Sequence, residues 1–220
     1  MASSLPVSHG RRLGLGIVLL ATLAGCSSSY YSAMEKFGIE KRDILVDRID
    51  DTQSAQEEAK EQFVSALDKY RSVVNVDGGE LEEVYDQLND EYKRCEADAD
   101  EVRDRIDSVS SVAEDLFAEW EKEIGEFSSP SMARQSRTLL RETRAEYNTM
   151  YAAMQRAEAS MEPVLVMFKD QVMFLRHNLN ARAIGAMRGE LSNIEQATAT
   201  LIADMEKSIS EASAFIDSMN

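Results

Sequence analysis

Covalent and metal chemistry in a protein starts from nucleophiles, bases and metal ligands, and this chain of 220 residues holds few of them. It has two cysteines, Cys26 and Cys95, and two histidines, His9 and His177. Two imidazoles, one of them in the N-terminal segment, are a poor basis for a multi-histidine zinc site. No glycine-rich loop ending in Gly-Lys-Ser/Thr is present to cradle phosphates. No Gly-x-Ser-x-Gly elbow is present to expose a serine nucleophile. Carboxylates number 40, so a chance pair of them says nothing about acid–base catalysis. The densest acidic run, residues 98–107, lacks the glycine that gives a calcium loop its sharp turn and reads as a solvated helix face. Cys95 falls on an apolar seam, where a thiol packs as a small hydrophobe. The expectation is a chain that is not an enzyme and that carries no cofactor and no metal.

Cys26 is different. Arg11 and Arg12, with His9, form a basic stretch, and residues 13–24 form an apolar one. That stretch is too short to cross a bilayer, which takes roughly 20 residues, and the order is that of a secretory signal peptide. Leu23-Ala24-Gly25 then runs straight into Cys26, which resembles the bacterial lipobox. The resemblance implies transfer of a diacylglycerol to the Cys26 sulfur, cleavage before Cys26 and acylation of the new amino terminus with palmitate-like chains. Ser27 stands where Asp would favour inner-membrane retention, so the resemblance favours the outer membrane, facing the periplasm. Several acyl chains anchor stably where one is marginal. The Arg11-Arg12 pair also fits a twin-arginine export signal, but no other part of that motif is present.

Charge narrows the function classes further. The whole chain carries −16. Cleavage before Cys26 removes Arg11 and Arg12 and no acidic residue, leaving 22 Lys+Arg against 40 Asp+Glu, or −18. Nucleic-acid binding rests on neutralising phosphates, so nucleic acid is not an expected partner. Docking on an anionic membrane by overall charge is disfavoured too, which leaves that work to the lipid. Once Cys26 is a thioether, Cys95 has no cysteine to pair with.

The elements must be long. Beyond the signal peptide only Pro130 and Pro163 remain, with six glycines. The apolar steps alternate three and four, as in the seam of a coiled coil. Leu45, Ile49, Thr52, Gln56, Ala59, Phe63, Ala66, Tyr70 and Val73 form a first seam. Leu81, Tyr85, Leu88, Tyr92, Cys95, Ala99, Val102, Ile106, Val109, Ala113, Leu116 and Trp120 form a second. Tyr147, Met150, Met154, Ala157, Met161, Val164 and Phe168 form a third. A fourth runs from Ile184 through Met187, Leu191, Ile194, Thr198, Leu201, Met205, Ile209, Ala212 and Ile216 to Met219. Turn chemistry separates them: residues 75–79 (NVDGG), then Ser128-Ser129-Pro130 with proline in a helix's first turn. The third break is Asn178-Leu179-Asn180, where asparagine is able to take a left-handed cap. The fold class expected is all-α: an elongated antiparallel helical bundle or coiled coil of about four long helices, the longest near 70 Å at 1.5 Å per residue. Residues 1–25 are the signal peptide, 26–38 the lipidated cysteine and stem, and 39–220 the bundle. Pro163 should kink or break the third helix near Met161.

One stretch departs from the acidic pattern. Residues 168–182 gather apolar bulk, amides and positive charge, with Arg176, His177, Asn178, Asn180 and Arg182 as candidate partner-binding residues. A plain helix corner, with the amides as caps, is the other reading of them. In an up-down-up-down bundle led by an N-terminal anchor, this corner and the NVDGG turn share the end far from the membrane. The Ser-Ser-Pro turn lies at the near end.

The segments KRDILVDRID, NVDGGELEEVYDQLNDEY and EPVLVMFKDQVMFLRHNLNARAIG resemble a family of bacterial envelope lipoproteins whose shared domain has no assigned function. The resemblance covers nearly all of the chain from about Tyr31 onward. It implies a helical lipoprotein and supplies no catalytic residues. The function expected is a non-catalytic spacer or adaptor for an envelope protein partner, held to the membrane by its lipid. The alternative is a small-ligand or lipid-binding bundle with a pocket near Pro163, where methionine and phenylalanine side chains splay apart.

Overall fold

A computed structural model describes residues 41–75 and 81–219. They form four helices and the turns that join them: α1 Lys41–Val74, α2 Leu81–Ile124, α3 Pro130–His177 and α4 Ala181–Met219. The helices have 34, 44, 48 and 39 residues. The expected signal peptide, Cys26 and the stem lie outside the described residues, as do residues 76–80, which include most of the NVDGG turn.

Local chemistry sets the helix ends. Ser129 has extended backbone (φ −93°, ψ 113°) and its hydroxyl accepts from the Met132 amide, with Pro130 in the first turn. Glu82 and Glu83 begin α2, while Arg176 stands in the last turn of α3, each sign matching the helix dipole. The third break falls where the asparagines predict it, but Asn178 has φ −135° and is not left-handed. It closes α3 through its side chain instead, the amide donating to the Phe174 carbonyl at 2.9 Å.

Contacts between distant residues fix the direction of each helix. Lys69 meets Gln87 and Lys41 meets Glu119, so α1 and α2 are antiparallel. Arg103 meets Glu162 and Trp120 meets Ser136, which reverses α3 against α2. Glu146 accepts from Ser218, and Gln53 donates to the Ile209 carbonyl, so α4 runs against both α3 and α1. The main contacts are α1 with α2, α2 with α3, α3 with α4, and α4 back onto α1. The fold is a four-helix up-down-up-down bundle, as the seams predict.

The core is those seams. Every predicted seam residue of α1 and α3 is buried. Two seams drift. In α2 the inward positions past Ala113 are Phe117 and Ile124, while Leu116 and Trp120 are half-buried. Phe117 wins because its ring packs edge-on to Tyr147, with centroids 5.4 Å apart, a contact that adds to plain area burial. In α4 strict alternation from Met205 places Ser208 and Phe215 inward, leaving Ile209 and Ile216 half-buried. Pro163 does not break α3, which continues through it to His177. The proline is exposed, so the carbonyl that loses its helical partner faces water.

Two polar groups inside the core behave in opposite ways. Tyr70 is fully buried, and its hydroxyl donates to the Met187 carbonyl at 2.7 Å. Gln56 is equally buried, yet neither its amide nitrogen nor its oxygen has a hydrogen-bond partner. An unpartnered buried amide is costly, whereas a made bond adds only modestly. Gln56→Leu is therefore expected to raise unfolding free energy by about 1–3 kcal/mol, and Tyr70→Phe to lower it by about 1 kcal/mol. Urea denaturation followed by circular dichroism measures both.

Candidate functional site

The corner between α3 and α4 is held firmly from below. Asn180 accepts from the backbone amides of Arg182 and Ala183 at 3.0 and 3.3 Å, which starts α4. The Arg188 guanidinium donates twice to the Val74 carbonyl, at 2.9 and 2.6 Å, tying α4 to the end of α1. Arg71 reaches Glu195 at 2.8 Å. The five residues singled out from sequence therefore divide. Asn178 and Asn180 cap the two helices. Arg176, His177 and Arg182 are exposed. Beside them lie large apolar side chains open to solvent: Met173, Phe174 and Leu179. Val166 and Met173 stand two turns apart on one outward face of α3 and are exposed as well. Together these groups form an apolar and basic surface in an acidic protein.

The opposite end holds a second surface that sequence reasoning missed. Ser218 of α4 is level with Glu146 of α3, and the turns of α3 before that point run on beside α2 alone among the described helices. Arg144 bridges the pair, its guanidinium 2.5 Å from Glu121 and 5.2 Å from the Phe117 ring centroid. Trp120 donates to Ser136 at 2.9 Å. A groove of about 510 Å³ opens here over Ile124 and Leu140, rimmed by Glu121, Arg137, Arg141 and Arg144. Phe127, Met132 and Leu139 are exposed. The available signal was the spacing of Arg134, Arg137, Arg141 and Arg144, steps of three, four and three in a chain of −16.

Between the ends, burial suppresses ionisation. Cys95 is fully buried among α1 and α2. Burial pushes its thiol up to about 12, a hydrogen bond from Gln62 opposes the rise, and Asp98 and Glu91 add to it. Tyr92 is pushed up to about 12 by burial and by its bond to Glu96. Tyr70 and Tyr147 are pushed higher still by burial. Among the described residues no three His, Cys, Asp or Glu side chains gather closely enough to hold a metal ion. No helix among them is long and apolar enough to cross a membrane.

The family model described as Protein of unknown function (DUF2959) matches residues 30–219. No curated protein and no solved structure matches the chain.

Burial of Cys95 has a measurable result. In the folded protein Cys95 is expected to resist maleimide at pH 7.5 and to react only on unfolding, as mass spectrometry of the peptide that contains it would record. Its ionisation is raised from an ordinary 9.0 to about 12, so the unfolded chain loses the proton first. The thiol's contribution to stability is fully present below pH 9 and is lost as pH climbs toward 12, with the tyrosines adding to the fall around and above pH 10. Cys95→Ala should flatten that curve most near pH 9, where the tyrosines, ordinarily titrating at 10.0, contribute least. A curve unchanged by the substitution would contradict the assignment.

Proposed function

The chain belongs to this family of unknown function, and from that premise we propose that it is a non-catalytic lipoprotein of the bacterial outer membrane. It works as a periplasmic spacer or adaptor. One observation carries this reading. The antiparallel order puts the start of α1, where Lys41 pairs with Glu119, at the opposite end from the α3–α4 corner, where Tyr70 bonds Met187. An anchor at Cys26 lies 15 residues before Lys41 and so holds one end of the bundle. The corner is then presented at the other, with α3 spanning about 70 Å between them.

The corner has the chemistry of a docking face. Residues 166–182 contain Lys169, Arg176 and Arg182 against Asp170, a net +2 with His177 neutral. Met173, Phe174 and Leu179 supply exposed apolar area beside these cations. A partner with an acidic rim around an apolar patch fits such a surface. The lipid- or ligand-binding alternative has less to support it, because Met161, Val164 and Phe168 are buried in the seam beside Pro163.

Two measurements test the parts separately. Cells fed labelled palmitate should incorporate it into the protein and not into Cys26→Ser; an unlabelled wild type would remove the anchor. Photo-crosslinking side chains at His177 and Arg182 should yield a discrete adduct in intact cells. Arg176→Glu with Arg182→Glu should abolish it. Adducts no different from those at Gln155, an exposed position midway along α3, would contradict the adaptor reading.

A further inference from the structure

We propose that the free end of the α2–α3 hairpin is a second membrane contact, with Phe127 and Met132 entering the lipid interface and Arg134 and Arg137 meeting lipid phosphates. This rests on the anchoring of Cys26 proposed above, and the experiment below separates the two.

The apolar side of the contact is visible as exposure. Phe127, Met132 and Leu139 are 42%, 55% and 49% exposed. Met132, Leu139 and Glu146 recur every seven residues and so share one flank of α3. Lower down that flank is the one facing α4, since Glu146 bonds Ser218. At the hairpin end no described helix covers that flank. Phe127 and Met132 flank the Ser128–Pro130 turn, at the extreme of the bundle. Arg134 stands four residues above Pro130, about 6 Å, and Arg137 one turn higher. Amphipathic elements at a bilayer surface bury their apolar groups by ~5–10 Å, so those arginines fall at headgroup depth.

Charge and reach select a lipid surface as the occupant. Residues 121–144 hold five Lys and Arg against four Asp and Glu, a net +1 in a chain of −16. The acids are Glu121, Glu123, Glu126 and Glu142. Glu121 is neutralised by Arg144. Arg134, Arg137 and Arg141 pair with no carboxylate among the described residues, which leaves them free for phosphate. A second copy of the same tip would bring the same arginines together and be repelled. Reach agrees as well: 15 residues join Cys26 to Lys41 and stretch to at most about 50 Å, and Lys41 is at this end of the bundle. Exposed apolar groups and uncommitted cations therefore coincide at the end of the bundle where the described chain begins, within reach of a lipid on Cys26.

The test uses the full chain carrying Phe127→Cys, Met132→Cys or, as the control at the other end, Phe174→Cys. Each introduced thiol takes an environment-sensitive fluorophore; Cys95 is buried and a lipidated Cys26 has no free thiol. The protein is placed in vesicles of phosphatidylethanolamine and phosphatidylglycerol containing a nitroxide-bearing lipid. Labels at 127 and 132 should be quenched several-fold more strongly than the label at 174. Equal quenching at all three positions overturns the proposal. A blue shift at 127 and 132 that appears without vesicles and grows with protein concentration assigns the tip to a second copy, and overturns it too. Mass spectrometry of the same samples reads lipidation independently. A lipidated chain with equal quenching keeps the anchor and loses the tip contact. An unlipidated chain loses the anchor, and the tip contact then stands only if that chain floats with the vesicles. In that case Phe127→Ser with Met132→Ser, checked by circular dichroism for unchanged helicity, must stay at the bottom of the gradient.

Discussion

Each of these four helices carries a largely apolar stripe that water penalises along its length, and only neighbouring helices can cover it. A fully buried Leu, Ile, Phe or Met stabilises the fold by about 1.5–3 kcal/mol, and the seams hold dozens of buried apolar residues. Short connections decide how the stripes meet. Asn178 to Asn180 is a three-residue link, able to span about 10 Å, whereas returning to the start of α3 would need about 70 Å. Successive helices must therefore turn back on one another. The four-helix ring with α4 closing on α1 follows from that single restriction.

Periodicity made the seams readable because burial repeats with the helix turn. It failed where a local contact outweighed the average pattern. Phe117 displaces Leu116 from the α2 seam through its ring contact with Tyr147. Ser208 is inside and Ile209 half-out because register, not hydrophobicity, governs α4 beyond Met205. Asn178 and Asn180 attracted notice as unusual amides and proved to be caps. Sequence signals of this kind identify a helix end without saying whether anything binds there. The hairpin surface around Met132 escaped notice for another reason. Its exposure depends on how far α3 runs past the end of α4, a relation between helix lengths that no single segment encodes.

The two ends of the bundle are its chemically distinct parts. The flanks between them are acidic and laced with pairs such as Arg103–Asp100 and Arg105–Glu101, which at the surface contribute little stability each. Both ends are less acidic than the whole and expose large apolar side chains. An acidic shaft between two ends with exposed apolar side chains is the form that the proposed bridging role requires. Buried Cys95 and the buried tyrosines Tyr70 and Tyr147 pack within the bundle.

The bridging claim depends on the bundle standing with one end at the membrane and the other away from it. Fluorescence energy transfer from a donor at position 127 or 177 to acceptor-labelled headgroups, in the lipid-anchored full chain, measures that orientation directly. An upright bundle gives strong transfer from 127 and little from 177, about 70 Å along α3 from the hairpin end. Equal transfer from both positions would lay the helices along the surface and contradict a spacer.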